Sequence, residues 1–367
     1  MGAMMEEIRV FPPSKYIKDK LAERGWKQVD LARVLGRTPK KLTDLMADNK
    51  RMSPEFAQEL AVVFGDTPQE WLNIDSVYSL SRANYVDQSI RHRSTIFSYP
   101  FKDMKKRQWI ADVKDPKDLE DELKRFFEVE NLNNFRIEAS FRRTIQQESE
   151  LNSAEKAWFT RAKKLAKVCP ADPFDESNMP TLEVGLRRLA AKSKAVHRVP
   201  ALLGKYGIRF VIVEPLPRVK TDGAAFWLDE SSPAIAMSVR FDNIGSFWFT
   251  LMHEFFHIKH RDAFSFDDLE ASPSDVPEIR ASQAAAESLV PQQALDSFIG
   301  TYRPNFSEAV INNLATQLEI HPGIIVGQLQ HRKEIGYSQH HRLMTKVREL
   351  ITEIAFTDGW GNPVPKL

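Results

Sequence analysis

The chain has 367 residues, 51 basic against 50 acidic, and a formal net charge of +1. That length exceeds one simple core and calls for two or three domains, while the balanced charge gives no overall pull toward nucleic acid or membrane, so any basic surface must be local. Cys169 is the single cysteine, which rules out an internal disulfide and a cysteine-based zinc site and fits a reducing compartment. No apolar run has the length of a membrane span, and the opening residues have no signal-peptide character, so a cytoplasmic protein is expected.

The first 80 residues predict a bundle of short helices. Tyr16, Ile17 and Leu21 recur at helical spacing before Gly25, and Val29, Leu31, Ala32 and Leu35 recur before Gly36. Thr38-Pro39, Ser53-Pro54 and Thr67-Pro68 each pair an N-cap hydroxyl with a proline suited to the first helical position. Thr67 with Glu70 makes a capping box. Helix, glycine turn, helix, glycine turn, helix is the order of a helix-turn-helix DNA-binding unit. Arg24, Lys27, Arg33, Arg37, Lys40, Lys41, Lys50 and Arg51 face only Asp30, Asp44 and Asp48 in this stretch, a local basic excess suited to phosphates. Thr38, Lys40, Lys41 and Thr43 are the candidates for base contacts in a major groove, and Lys50 and Arg51 for phosphate contacts.

Residues 81–168 predict a charged helical region, with apolar stripes through Leu119, Leu123, Phe126 and Phe127 and through Ala154, Trp158, Leu165 and Ala166. The cluster Lys102, Lys105, Lys106 and Arg107 reads as a solvated charge run. Cys169-Pro170-Ala171-Asp172-Pro173 reads as a linker, with helices following around 182–193 and 199–206. Strand character begins after Gly207: Ile208–Val213 is followed by a hairpin of Ala224–Leu228 and Ala234–Val239 around Glu230-Ser231-Ser232-Pro233. The second hairpin strand, if it lies at a sheet edge, suits pairing with an extended peptide. Beyond Pro291 helices are expected to the end.

His253-Glu254-Phe255-Phe256-His257 carries the chemistry. Four residues is a little over one helical turn, so both imidazoles leave one face and can share a zinc ion. Glu254, beside the first histidine, is placed to take a proton from water. A hydrolytic zinc site needs a third protein ligand. The position where metzincins place a third histidine is Ala263, which excludes that class. Asp262, Asp267, Asp268, Glu270, Glu278 and Glu287 are all chemically possible. Glu278 is favoured, because Pro277 opens a helix there and Ala281, Ala284, Ala285 and Ala286 let it lie close to the motif helix. Tyr206, Tyr302, His321 and His197 are open candidates for an oxyanion donor. His260 reads as a partly solvated neighbour; His92, His331, His340 and His341 lie outside any ligand spacing.

Leu21-Ala22-Glu23-Arg24-Gly25-Trp26, Asp30-Leu31-Ala32 and Pro68-Gln69-Glu70-Trp71-Leu72 resemble the HigA-like, Xre-type antitoxin regulators. Phe247–His257, with Glu278, Ala281, Ala285-Ala286, Leu289 and Pro291, resembles the ImmA/IrrE metallo-endopeptidases, and Ile320–His331 is similar to the C-terminal part of fused members. The resemblance implies a DNA-binding zinc (Zn2+) endopeptidase that cleaves a transcriptional repressor or antitoxin, itself included, to release stress, defence or mobile-element genes. It implies His253, His257 and Glu278 as metal ligands and Glu254 as the catalytic residue. Ser282 stands where the family often has Asn or Asp behind a ligand histidine, and Ala284 where it often has an aromatic. The alternative is an antitoxin-like repressor whose peptidase fold serves only as a sensor or interaction module. Operator DNA, a repressor or antitoxin substrate and a second copy of the chain are the expected partners.

The expected fold class is multidomain and mainly α, with a small antiparallel sheet in an α+β, zincin-like peptidase domain. The expected divisions are a helix-turn-helix domain (1–80), a helical middle region (81–168), the peptidase domain (169–300) and a C-terminal helical region (301–367).

Overall fold

The computed structural model describes residues 10–47, 50–83, 88–132, 151–262, 276–363 and 365. Asp48, Ala263, Asp267, Asp268 and Glu270 lie outside these described residues. The chain divides into two compact units, 1–91 and 92–367.

The first unit holds α1 (Pro13–Glu23), α2 (Gln28–Val34), α3 (Pro39–Leu45), α4 (Pro54–Phe64) and α5 (Pro68–Arg82). The expected caps form: Thr38, Ser53 and Thr67 accept from the backbone N–H three residues on, and Glu70 closes its capping box. Gly25 and Gly36 take positive φ in the two turns, at +66° and +61°, a backbone region that costs glycine little. One apolar core, including Ile17, Leu31, Leu42, Phe56, Leu60 and Trp71, holds the five helices together.

The division between the units falls within α6 (Gln88–Ser98). The second unit continues through α7 (Phe101–Lys106), α8 (Pro116–Phe127), α9 (Ser153–Val168), α10 (Met179–Leu189) and α11 (Val199–Lys205). Three strands follow: β1 (Arg209–Val213), β2 (Gly223–Trp227) and β3 (Pro233–Met237). The chain returns to helices α12 (Ile244–Lys259), α13 (Val276–Leu289), α14 (Gln292–Tyr302), α15 (Glu308–Leu318), α16 (Pro322–His331) and α17 (Arg348–Thr352) before β4 (Phe356–Asp358). Among the described residues no helix is long and apolar enough to cross a membrane.

The hairpin is present, with Ala225 opposite Ile235 and Phe226 opposite Ala234. The sheet as a whole is mixed rather than antiparallel, in the order β2-β3-β1-β4, because β1 runs parallel to both β3 and β4. Local turn chemistry reports the hairpin; the parallel pairings join segments far apart in sequence and leave no turn signature. β3 is therefore an interior strand, and β2 is the edge on that side. The expectation that helices alone follow Pro291 also fails at β4, whose three residues are too short for a periodic signal.

Strand alternation sorts the core into two layers. Phe210, Ile212, Ala225, Trp227, Ile235 and Met237 face one cluster with α10–α16, while Val211, Val213, Ala224, Phe226, Ala234 and Ala236 face another with α8 and α9. Helices cover both faces of a sheet with a parallel core, which explains why these strands read as continuous apolar runs. Trp158 is fully buried on the second face and donates its indole N–H to the carbonyl of Val213 at 2.8 Å. The Lys102–Arg107 run is not simply solvated: Lys105 donates to the carbonyl of Val113, and Arg107 donates to those of Glu214 and Pro215, so two of its four cations fasten loops.

Candidate metal centre

Asn243 caps α12 by accepting from the Ser246 N–H at 2.8 Å. From there it runs through the core of the first layer, with His253, Glu254 and His257 all buried. Aliphatic and aromatic residues around nearly the whole circumference make this a central rather than a surface helix. α13 packs against it, and the buried Ala281 and Ala285 supply a small-residue face that allows the close approach. Glu278, in the first turn of α13, is thereby carried to the two histidines.

The three side chains converge. Nε2 of His253 lies 2.9 Å from Nε2 of His257 and 3.0 Å from Oε2 of Glu278, and Nε2 of His257 lies 3.5 Å from Oε1 of Glu278. Ligand atoms about 2.0–2.1 Å from a shared ion in a tetrahedral arrangement stand roughly 3.3 Å apart. The observed spacings bracket that edge, and the group could hold a metal ion. The donor set, two imidazoles and a carboxylate, fits zinc well and leaves a fourth position open.

The far side of each imidazole is also held. His257 Nδ1 lies 2.9 Å from Asp262 Oδ2, and Arg280 donates to both carboxylate oxygens of Asp262, at 2.6 and 2.9 Å. His253 Nδ1 lies 3.2 Å from Ser282 Oγ. Such contacts turn both Nε2 atoms toward the shared point and fix which nitrogen carries the proton. Asp262, one of the six candidate ligands, thus stands behind His257 rather than beside the three converging atoms. Glu287 is exposed and accepts from the Gln292 N–H at the start of α14.

The electrostatics follow from burial and pairing. Burial disfavours a charged His257, but the carboxylates of Asp262 and Glu278 outweigh it and raise its pKa to about 10. Burial disfavours the Glu278 carboxylate as well, yet hydrogen bonds to His253 and His257 bring its pKa down to about 2. Asp262 is likewise lowered, with His257 and Arg280 overcoming its burial. Protons here do part of what a cation would do, compensating a buried carboxylate.

Glu254 is fully buried one position from His253 and faces the edge strand. A Cβ added to Gly223 in β2 would fall 2.6 Å from Glu254 Oε1 and 2.8 Å from Thr250 Cγ2. Glycine is needed there because helix and strand approach this closely.

The oxyanion candidates occupy other roles. His321 caps α16 through Nδ1, Tyr302 is exposed at the end of α14, His197 bonds the carbonyl of Lys194, and Tyr206 packs against the core. His260 is exposed, stacks on Phe256, and has a pKa lowered by burial and by the nearby Arg280. His331 is exposed and stacks on Phe249, whose ring also flanks His253. His92 pairs with Glu120 at 2.8 Å.

In the first unit, Thr38 caps α3, and Lys40, Lys41 and Thr43 are exposed along it; Thr43 Oγ donates back to the Pro39 carbonyl. Lys50 and Arg51 follow, also exposed. The basic excess is thinner than the sequence suggests. Arg24 donates to the carbonyls of Val63 and Phe64 at the end of α4, Arg37 pairs with Glu59 at 2.6 Å, and Arg51 pairs with the buried Asp75 at 2.8 Å. Those three hold the bundle, leaving Lys27, Arg33, Lys40, Lys41 and Lys50 on its surface.

No protein-family model matches the chain. It is 32% identical over 71 residues, 19% of its own length and 76% of the relative's, to an uncharacterised helix-turn-helix-type transcriptional regulator, YddM, of Escherichia coli (strain K12). This chain belongs to the helix-turn-helix-type transcriptional regulators. The likeness covers a region of the size of the first unit, so the metal centre of this regulator rests on its own geometry. Three features of that centre escaped the sequence: Asp262 behind His257, Arg280 behind Asp262, and Gly223 beside Glu254. Asp262 was visible as an acidic residue five places after His257, but only the turn after α12 tells that it folds back. Arg280, two places after Glu278, lies on the other side of the same helical turn. Gly223 carried no sequence signal.

Proposed function

We propose that this regulator is a zinc-dependent endopeptidase carried on a DNA-binding unit, and that it cleaves a repressor or antitoxin, another copy of itself included. The convergence of His253, His257 and Glu278 around one point, with Glu254 buried alongside, carries the reading. A bound zinc ion supplies Lewis acidity toward a water molecule and a peptide carbonyl.

The protein's own groups do the rest. His253 and His257, through Nε2, and Glu278 would hold the ion, with Asp262 and Ser282 fixing the rings from behind. Glu254 accepts a proton from the attacking water and delivers it to the leaving amine. Its burial keeps competing solvent away, and Phe247, Trp248, Phe255 and Phe256 pack the helix into the surrounding core. The edge strand β2, next to Glu254, is the strand along which an extended peptide adds by backbone hydrogen bonds; this replaces the interior β3 in that role. The zincin-like description belongs to this same proposal.

Similarity to a transcriptional regulator supports binding of operator DNA by the first unit. Lys40 and Lys41 on α3 are the residues that reach the groove, and Lys50 meets phosphates. Operators commonly present two half-sites, which suits a homodimer. Tethering on DNA raises the effective concentration of the peptidase near a DNA-bound repressor.

The test is metal analysis of purified wild type and Glu254→Gln, followed by incubation of each with zinc and candidate repressors. A single zinc ion per chain in both, with fragments from the wild type alone, is the expected result. N-terminal sequencing of the fragments then gives the cleaved bond. Zinc in both and no fragments from any regulator, itself included, leaves the antitoxin-like repressor with a metal-binding sensor as the function.

A further inference from the structure

On the opposite face of the sheet from the metal centre, a cavity of about 330 Å³ opens between α8 and α9. Its walls include Trp109, Glu122, Arg125, Phe126, Arg161 and Lys164. Three cations and one carboxylate line it, and each cation has a carboxylate partner: Arg125 pairs with Glu122, Arg161 with Asp358, and Lys164 with Glu128 at 3.1 Å. Arg161 is 4% exposed, pairs through Nε with Asp358 of β4, and among the described residues its Nη2 has no hydrogen-bond partner. A buried guanidinium nitrogen left unpaired is costly, and native proteins satisfy such groups with ligand or water.

The neighbouring groups fit a ligand with two ends. Trp109 and Phe126 lie nearly parallel, at 5° with centroids 5.9 Å apart, and line the cavity with rings that are mostly buried, Arg107 also lying over Trp109. Asp358 fixes Trp109 by accepting its indole N–H at 3.0 Å, so ring and guanidinium are set by one carboxylate. Arg161 lies over the Trp109 ring and Lys164 over that of Phe126, at 5.9 and 5.4 Å from the centroids. Glu122 does not cancel these charges freely: it pairs with Arg125 and accepts from the Ala111 N–H at 3.0 Å. The volume is at the lower end of small-molecule pockets, enough for a compact ring with a charged substituent.

We propose that this cavity binds a small organic anion, a flat ring bearing a phosphate or carboxylate. The charged end meets Arg161 and Lys164, and the ring lies against Trp109 and Phe126. The site stands independently of peptidase activity, so its failure and that of the peptidase reading are separable.

The test is calorimetric titration of the full chain with adenosine 5′-monophosphate, benzoate and inorganic phosphate. Lys164→Glu and Arg161→Lys serve as variants; the first alters a side chain near the surface, and unfolding midpoints confirm that both remain folded. Saturable binding of at least one ring-bearing anion is expected, tighter than that of inorganic phosphate and weakened about tenfold or more by Lys164→Glu. Whether the monophosphate or benzoate binds tighter identifies the charged group. Should no anion bind, water alone satisfies Arg161 and the proposal falls. Unchanged affinity in Lys164→Glu, or inorganic phosphate binding as tightly as the ring-bearing anions, also overturns it.

Discussion

Ser282 Oγ stands 3.2 Å from His253 Nδ1, behind the imidazole whose Nε2 meets His257 and Glu278. A hydroxyl accepts an imidazole N–H less strongly than a carboxylate does, and the corresponding support of His257 is the carboxylate of Asp262. The two histidines are therefore unequally backed. Ser282→Ala is expected to weaken metal binding about tenfold, and Ser282→Asp to strengthen it, as groups orienting metal ligands usually do. Competition with a chelating dye measures both; no change in either variant would show that Ser282 does not orient the ring.

Gly223→Ala is expected to displace Glu254 while sparing the metal ligands. The new methyl meets Glu254 Oε1 and Thr250 Cγ2 at distances no real contact shows. A shift of the proton-carrying group by about 1 Å costs on the order of 10²-fold in rate, and overpacking costs about 1–3 kcal/mol of stability. Zinc content should persist while peptide cleavage falls. Loss of zinc together with cleavage would contradict this account.

Stability in the absence of metal should depend on pH in two opposite limbs. His257 is raised from 6.5 to about 10, so its contribution is complete below pH 6.5 and disappears as pH rises toward 10. Glu278 is lowered from 4.5 to about 2, so its contribution is complete above pH 4.5 and disappears as pH falls toward 2. The chelated protein is thus expected to gain most from the site between about pH 4.5 and 6.5, with each limb no steeper than about 1.4 kcal/mol per pH unit. Zinc reverses the alkaline limb, because it takes the deprotonated imidazole and its affinity grows as protons leave. Unfolding midpoints across pH, with chelator and with zinc, would reveal both; parallel curves would contradict it.

The basic residues of the first unit should separate by role. Lys40→Ala and Lys41→Ala are expected to weaken DNA binding and, where the lysine meets a phosphate, to flatten its salt dependence by roughly one unit of slope each. Arg37→Ala and Arg51→Ala break ion pairs with Glu59 and Asp75 and should lower the unfolding midpoint of the first unit. Arg51→Ala matters more, since it strands a buried carboxylate. Fluorescence anisotropy at several salt concentrations and thermal unfolding distinguish the two groups.

The parts of this molecule that were readable from sequence are those set by near neighbours. Thr38-Pro39 and Thr67-Pro68 announced α3 and α5, since cap and proline act within one turn. The i, i+4 spacing of His253 and His257 placed both rings on one face, and Pro277 with the alanines after it placed Glu278. The hairpin of β2 and β3 was equally local. The parallel partnership of β1 with β3 and β4 was not readable, nor was the interior place of β3, because both depend on which distant segment arrives alongside. The partners of Arg24, Arg37 and Arg51 were not readable for the same reason: charge counts along a chain do not reveal Val63, Glu59 and Asp75.

β4 lies on the outer side of β1, contributed by residues about one hundred positions after His253 and His257. Until Phe356–Asp358 emerges, β1 keeps an unpaired border and Arg161 lacks its counter-charge. A growing chain can thus carry every metal ligand and still be an unfinished protein.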